Sequence, residues 1–280
     1  MSFKEHTVEH GFVAAMDYYV HFLTNKGFGP LDEIPAIYAL KKFNSIFGDR
    51  NFRYPYQRLF QRIAEELDDV RLNSRVVNIV DQVSGAYKRV AIRGAENVMC
   101  SQVVLAYPPT KDSVNFISVP KDTREFFGAV KTFNYGYLVI RDVFLSPCQQ
   151  GHCIESFIHR MQPTNLTNPP AEIVRQSNSV DSVAVVMYQY PGQSKEDVIE
   201  NMVEFVGKLD EALYDEEDVV EAHFFPNFPH VTENIEEFHS KLKEIQGVNG
   251  MYYIGSVWVV DVVEAAVVSA KVVVEEYFQD

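Results

Sequence analysis

Apolar positions recur along this chain at several spacings, and each spacing predicts its own kind of element. Between Gln57 and Asp69, Leu59, Phe60, Ile63, Ala64 and Leu67 fall three or four residues apart with Arg58, Arg62, Glu65 and Glu66 between them. That spacing predicts an amphipathic helix beginning just after Pro55. Val198, Ile199, Met202, Val203, Phe205, Val206 and Leu209 repeat it behind Ser194-Lys195-Glu196-Asp197, a capping-box start. Ile235, Phe238, Leu242 and Ile245 mark a further helix that ends near Gly247. The residues before Gln57 read as helical and irregular, punctuated by Gly27, Gly29, Pro30 and Pro35.

Runs rich in Val and Ile predict strands instead. Arg75–Val83 and Ala86–Arg93 are split by Ser84-Gly85, a hairpin signal, and Gly94-Ala95-Glu96-Asn97 turns the chain into Val98–Ala106. The expectation is a three-stranded antiparallel meander whose last strand, with Val103, Val104, Leu105 and Ala106, is the most buried. Tyr135–Arg141, Cys153–Ile158 and Val180–Tyr190 predict a second group of strands, separated by a loop over Gln162–Pro170. Val219–Phe224 reads as a short strand stopped by Phe225-Pro226-Asn227-Phe228-Pro229-His230.

At the C-terminal end, Met251-Tyr252-Tyr253-Ile254 predicts a strand that runs through Gly255-Ser256 toward a buried, all-round apolar helix. Asp261 to Glu264 caps that helix, which reaches about Phe278. A strand entering a helix through a glycine turn leaves backbone N–H groups at the helix mouth, which carries roughly half a positive charge and suits a phosphate or a carbonyl.

Composition narrows the function classes. The chain has 280 residues and a formal charge of −14, with 25 Lys+Arg against 39 Asp+Glu. An acidic surface argues against nucleic acid and anionic membranes as partners. Cys100, Cys148 and Cys153 make no disulfide framework, and neither a transmembrane helix nor a signal peptide is expected, so the reading is intracellular. Cys148, His152, Cys153 and His159 offer zinc donors, but Cys153 and His159 flank a strand and no second Cys pair exists, so no metal site is expected. His6 and His10 share a helical face without a third ligand, and no Ser-His-Asp order or nucleophile elbow points to a hydrolase. Trp258, the only tryptophan, is a candidate for facing a ring system, and Phe224, Phe225 and Phe228 are candidates for lining a substrate cavity; the alternative for each is core packing.

Three stretches together resemble the flavin-containing amine oxidoreductases. One is Val70-Arg71-Leu72-Asn73-Ser74-Arg75-Val76-Val77-Asn78-Ile79 with the meander, similar to a strand that supports the adenine half of FAD. The second is Val103-Val104-Leu105-Ala106-Tyr107-Pro108-Pro109, similar to the meander's end. The third, Tyr252-Tyr253-Ile254-Gly255-Ser256 with Val263-Glu264-Ala265-Ala266-Val267-Val268-Ser269-Ala270, is similar to the last FAD-binding strand and helix. Asp32–Phe43 and the helix before Val70 look most like the β-cyclopiazonate dehydrogenase type.

The resemblance implies a mixed α+β or α/β architecture: part of a glutathione-reductase-like FAD domain with its meander, plus a substrate domain of mixed sheet and helices. It divides the chain into substrate-domain helices at 1–70, the FAD-domain meander at 71–109, the substrate-domain sheet and helices at 110–230, and the FAD strand and helix at 231–280. It implies FAD contacts at Val76, Gly255, Ser256, Val263, Glu264 and Ala265, and substrate contacts at Trp258 and Phe224. The implied activity is flavin-dependent oxidation of a small organic molecule, an amine or secondary metabolite, with no catalytic residue matched to a motif.

The chain departs from the family in three places. Gly27-Phe28-Gly29 is not a dinucleotide fingerprint, because Asp32 stands where the third glycine belongs and no strand precedes it, so the first βαβ unit is missing. Ser256 replaces an acid, and Ala265 and Ala270 replace glycines. The missing unit normally gives about three charge-assisted hydrogen bonds to the nucleotide, roughly 4.5–9 kcal/mol, or some three to six decades of affinity. The expected partners are therefore a small-molecule substrate and either a second copy or a partner that supplies the lobe. The alternative is a cofactor-free binding or assembly module.

Overall fold

The computed structural model describes residues 1–19, 23, 28–46, 56–82, 85, 87–141, 170–175, 182–189, 192–210, 214–232, 234–255, 257 and 263–278. In chain order the helices are α1 (Phe3–Glu9), α2 (Met16–Tyr19), α3 (Ala36–Ile46), α4 (Tyr56–Glu65), α5 (Lys121–Phe126), α6 (Lys195–Asp210), α7 (Ile235–Ile245) and α8 (Val263–Tyr277). The strands are β1 (Val76–Asp81), β2 (Lys88–Ile92), β3 (Val98–Cys100), β4 (Val103–Leu105), β5 (Val130–Arg141), β6 (Pro170–Arg175), β7 (Ser182–Gln189), β8 (Val219–Val231) and β9 (Met251–Tyr253). The fold is α+β, and two compact units share it: residues 1–39 with 132–230, and residues 40–131 with 231–280.

The first unit is built on a four-stranded sheet of order β6-β7-β5-β8, with β5 and β7 antiparallel from Asn134↔Gln189 to Arg141↔Ser182. Alternation along β5 and β7 turns Leu138, Ile140, Val185 and Met187 inward, where α6 covers them with Val198, Met202 and Val206; all seven are fully buried. The expected capping box starts α6: Ser194 Oγ accepts from Asp197 N–H at 3.0 Å, and the Asp197 carboxylate accepts from Ser194 N–H at 2.8 Å.

The expected stop at residues 225–230 does not occur. β8 runs on to Val231 because it is the edge strand of its sheet, where Pro226 and Pro229 need not donate to a neighbour. Its buried end forms an aromatic cluster. His230 stacks on Phe133 at 4.7 Å, and Phe28 meets Phe228 edge-on at 4.7 Å, with Phe228 itself at φ +48°. Gly29 packs beneath that cluster at φ +90°: a Cβ there would fall 2.2 Å from the Phe133 ring, and its N–H donates to Tyr135 Oη at 2.9 Å. Gly29 thus has a packing role in this unit; Gly27 lies outside the described residues.

The second unit carries two small sheets. β1, β2 and β3 form the expected antiparallel meander, with the positive-φ Gly85 in its first turn. The single strand expected over Val98–Ala106 is instead two. β3 closes the meander, and after Ser101 and Gln102 the chain leaves it, so that β4 pairs in parallel with β9, from Val103↔Met251 to Leu105↔Tyr253. Gly250 sits against this break; a Cβ on it would lie 2.5 Å from the Ser101 carbonyl oxygen, so only glycine allows the two backbones to meet.

The core of this unit gathers Ile79, Leu105, Val114, Ile117, Phe127, Phe238, Leu242, Met251, Tyr253 and Val257. α7, capped by Asn234 at Glu236 N–H, lies where the sequence places it. Among the described residues, no helix is long and apolar enough to cross a membrane. The strand expected over Cys153–Ile158, and with it Cys148, His152 and His159, lies outside the described residues; Cys100 is a free thiol.

Candidate functional site

The backbone at the end of β9 is held by several hydrogen bonds. β9 is buried throughout and held on both sides of its last residue: Gln246 Nε2 donates to the Tyr253 carbonyl at 2.7 Å, and Tyr253 N–H donates to Gln246 Oε1 at 2.9 Å. Ile254 N–H then donates to the Leu105 carbonyl at 2.9 Å, which prolongs the parallel pairing by one residue. Gly255 follows at φ +129°, backbone that side chains rarely adopt, and brings the chain beside the Ala106 carbonyl. Val257 is buried in the core. Ser256, Trp258 and the capping residue Asp261 lie outside the described residues.

The Gly255 amide is not free, contrary to the expectation of unpaired donors here. It donates to Ser269 Oγ at 2.8 Å. Ser269 stands one turn beyond Ala265 on α8, and Val273 one turn further, so these three share the helix face that meets the core. Val263 and Glu264, at the mouth of α8, are exposed.

Val76 opens β1, half-buried, beside an irregularity in the β1–β2 register between Val76 and Asn78. It packs against the cluster that holds Leu105, Tyr253 and Val257, so the meander and the Gly255 turn share one core. Phe224 belongs to the other unit. Its ring packs on the α6 cluster beside Gly136, whose Cβ would approach it to 3.0 Å, and Lys195 Nζ lies 5.2 Å above it.

Two tyrosines in the second unit carry raised pKa values. Burial pushes Tyr107 up to about 12 and Tyr253 up to about 12, the latter helped by Tyr107. Both phenols are therefore neutral at ordinary pH, and Tyr107 Oη donates to the Ser113 carbonyl at 3.1 Å. His239, Lys243, Gln246, Ser269 and Glu276 line a crevice of about 220 Å³ between α7 and α8. A larger open groove of about 540 Å³ elsewhere in this unit is walled by Asp122, Glu125, Glu237 and Lys241 around the stacked Phe126–Phe238 pair, so three acids outnumber one cation there.

Gly255, at positive φ after a buried strand, follows residues of the core against which the meander also packs. Its N–H is committed to Ser269 Oγ.

No protein-family model matches the chain, and no curated protein matches it by sequence. Solved structures do. A conjugated-linoleic-acid-producing fatty acid isomerase from P. acnes superimposes with a TM-score of 0.76 at 16% identity, over 100% of this chain and 67% of its own. A redesigned putrescine oxidase matches with a TM-score of 0.64 at 16% identity, over 98% of this chain and 67% of its own. Another variant of that oxidase gives 0.62 at 15% identity. The chain therefore has an amine-oxidase-like fold, and a third of each compared chain has no counterpart in it.

Proposed function

We propose that this chain is the greater part of a flavin-dependent oxidoreductase of the amine-oxidase type that acts on a small organic amine or secondary metabolite. The observation that carries the reading is the β9–Gly255–α8 turn on one core with the Val76 meander, within a fold shared with a putrescine oxidase. In this reading Val76 lies against the adenine half of FAD, Gly255, Ser256 and the mouth of α8 at Val263, Glu264 and Ala265 hold the flavin side, and Trp258 is the candidate for facing the substrate, while Phe224 packs on the α6 cluster of the other unit. Bound flavin supplies hydride acceptance, and the protein contributes orientation and exclusion of water. The finer likeness to the β-cyclopiazonate dehydrogenase type and an intracellular setting belong to the same proposal.

The test is titration of purified chain with millimolar FAD, read by absorbance near ~450 nm, by quenching of flavin fluorescence and by melting temperature. Binding with a raised Tm supports the reading, and Gly255→Val lowers the affinity. Protein that stays colourless, with an unmoved Tm, defeats it.

A second reading is a cofactor-free assembly module. The Gly255 amide satisfied within the chain and the apolar residues left on the surface of the second unit favour it. In that case the chain enters a complex with a second copy or another protein and stays flavin-free.

A further inference from the structure

The crevice of about 220 Å³ between α7 and α8 has an apolar interior and a charged mouth. Leu242, Val273 and Tyr253 line it and are buried. Lys243 on α7 and Glu276 on α8 also line it, both exposed. Neither has an ion-pair partner among the described residues. Lys271, the one cation of α8, meets Glu275 at 3.5 Å instead.

Two neutral groups stand with them. Ser269 Oγ accepts from Gly255 N–H, and a hydroxyl that accepts keeps its own hydrogen as a donor. Among the described residues nothing takes that hydrogen. His239 lies one turn before Lys243, and burial, with Lys41 and Lys243 nearby, holds it below the usual imidazole value, so it is neutral at pH 7. Lys243 is therefore the one cation lining the crevice, and Glu276 the one anion.

Single opposite charges on the two walls of an apolar crevice match a molecule that carries both charges and an apolar body. We infer that the crevice binds a small zwitterion with an aliphatic side chain. Its carboxylate faces Lys243 and accepts from the Ser269 hydroxyl, its ammonium faces Glu276, and its side chain packs on Leu242 and Val273.

Size and charge both select this class. The volume is about seven times the share of one water in the liquid, and lies below the roughly 300 Å³ at which pockets for drug-sized ligands begin. A peptide segment is too large for it. A singly charged amphiphile would leave either Lys243 or Glu276 without a counterpart. An exposed ion pair alone contributes little, so binding depends on both charges and the apolar contact acting together. The inference stands apart from the flavin and assembly readings.

The experiment titrates the whole 280-residue chain by calorimetry with leucine as the probe. Isocaproate, which lacks the ammonium, and isoamylamine, which lacks the carboxylate, are titrated alongside. Leucine is expected to bind at least tenfold more tightly than either. Lys243→Gln and Glu276→Gln are each expected to weaken it at least fivefold with the Tm of the free chain kept, while Lys243→Arg retains binding. Isocaproate or isoamylamine binding as tightly as leucine overturns the zwitterion. Leucine binding that neither Gln variant weakens places the ligand elsewhere and overturns the site. No heat with leucine at tens of millimolar overturns the inference outright, and none of these outcomes bears on whether the chain takes up FAD.

Discussion

The α6 layer and the α8 layer of this protein both carry apolar residues and end in opposite environments. Both helices contain several Val residues. In α6, Val198, Met202 and Val206 are sealed against the inner face of the β5–β7 sheet. In α8, which the sequence leads one to expect buried, only Ala265 and Val273 are buried, while Val267 is 61% and Val274 54% exposed. The contrast teaches that apolar composition reports a demand for cover, and that whether the demand is met depends on the layer opposite. α6 has two long strands beneath it, each extending well beyond one helix turn; the strand before α8 has three residues.

The contrast can be broken by the largest effect first. Met202→Ala, in the sealed layer, is expected to destabilise the protein by about 2–5 kcal/mol through lost transfer energy and a cavity, measured by urea denaturation. A loss of under about 1 kcal/mol would mean that this layer is as loose as the other. Gly250→Ala probes the junction where β4 leaves the meander. Left-handed strain together with the clash on the Ser101 carbonyl is expected to cost about 2–4 kcal/mol, against about 1–2 for Gly85→Ala, which has positive φ but open space. Equal losses would show that the close approach at Ser101 is unimportant.

Ser194→Ala removes the α6 cap and is expected to cost about 1 kcal/mol, checked by thermal melting. The same melts followed against pH test α7. Burial, then Lys41 and Lys243, hold His239 below the usual imidazole value of 6.5. The unfolded chain therefore takes up a proton that the folded one refuses. That contribution to stability is intact above about pH 6.5 and is lost as pH falls below it, a slope that His239→Gln flattens. The smallest effect belongs to α8: Val267→Ala is expected to change stability by less than about 0.5 kcal/mol in the chain alone. A change as large as that of Met202→Ala would mean that Val267 is covered in solution and would erase the comparison.

Legibility followed the range of the interactions involved. The helix from Ile235 to Ile245, the Ser194 cap and the hairpin around Gly85 were readable because each rests on contacts within a few residues. The split of Val98–Ala106 into two sheets was not, since what divides it is Gly250, about 150 residues away, pressing on Ser101. Nor was the continuation of β8 through Pro226 and Pro229, which depends on its being an edge. At the candidate site, Gly255 between strand and helix was legible from its neighbours, but the bond from its amide to Ser269 was not, because it joins residues fourteen apart across the segment between β9 and α8.

Taken alone, the order of amino acids determined the periodic elements, the acidic charge and the positions of the glycine turns, all properties of short windows of chain. Only the tertiary structure decided which apolar surfaces are satisfied: β9 is buried, Val104 of β4 is exposed, and α8 shows much of its valine to water. Burial is a property of what lies opposite a residue, and what lies opposite is set by segments distant in the chain, or by another molecule.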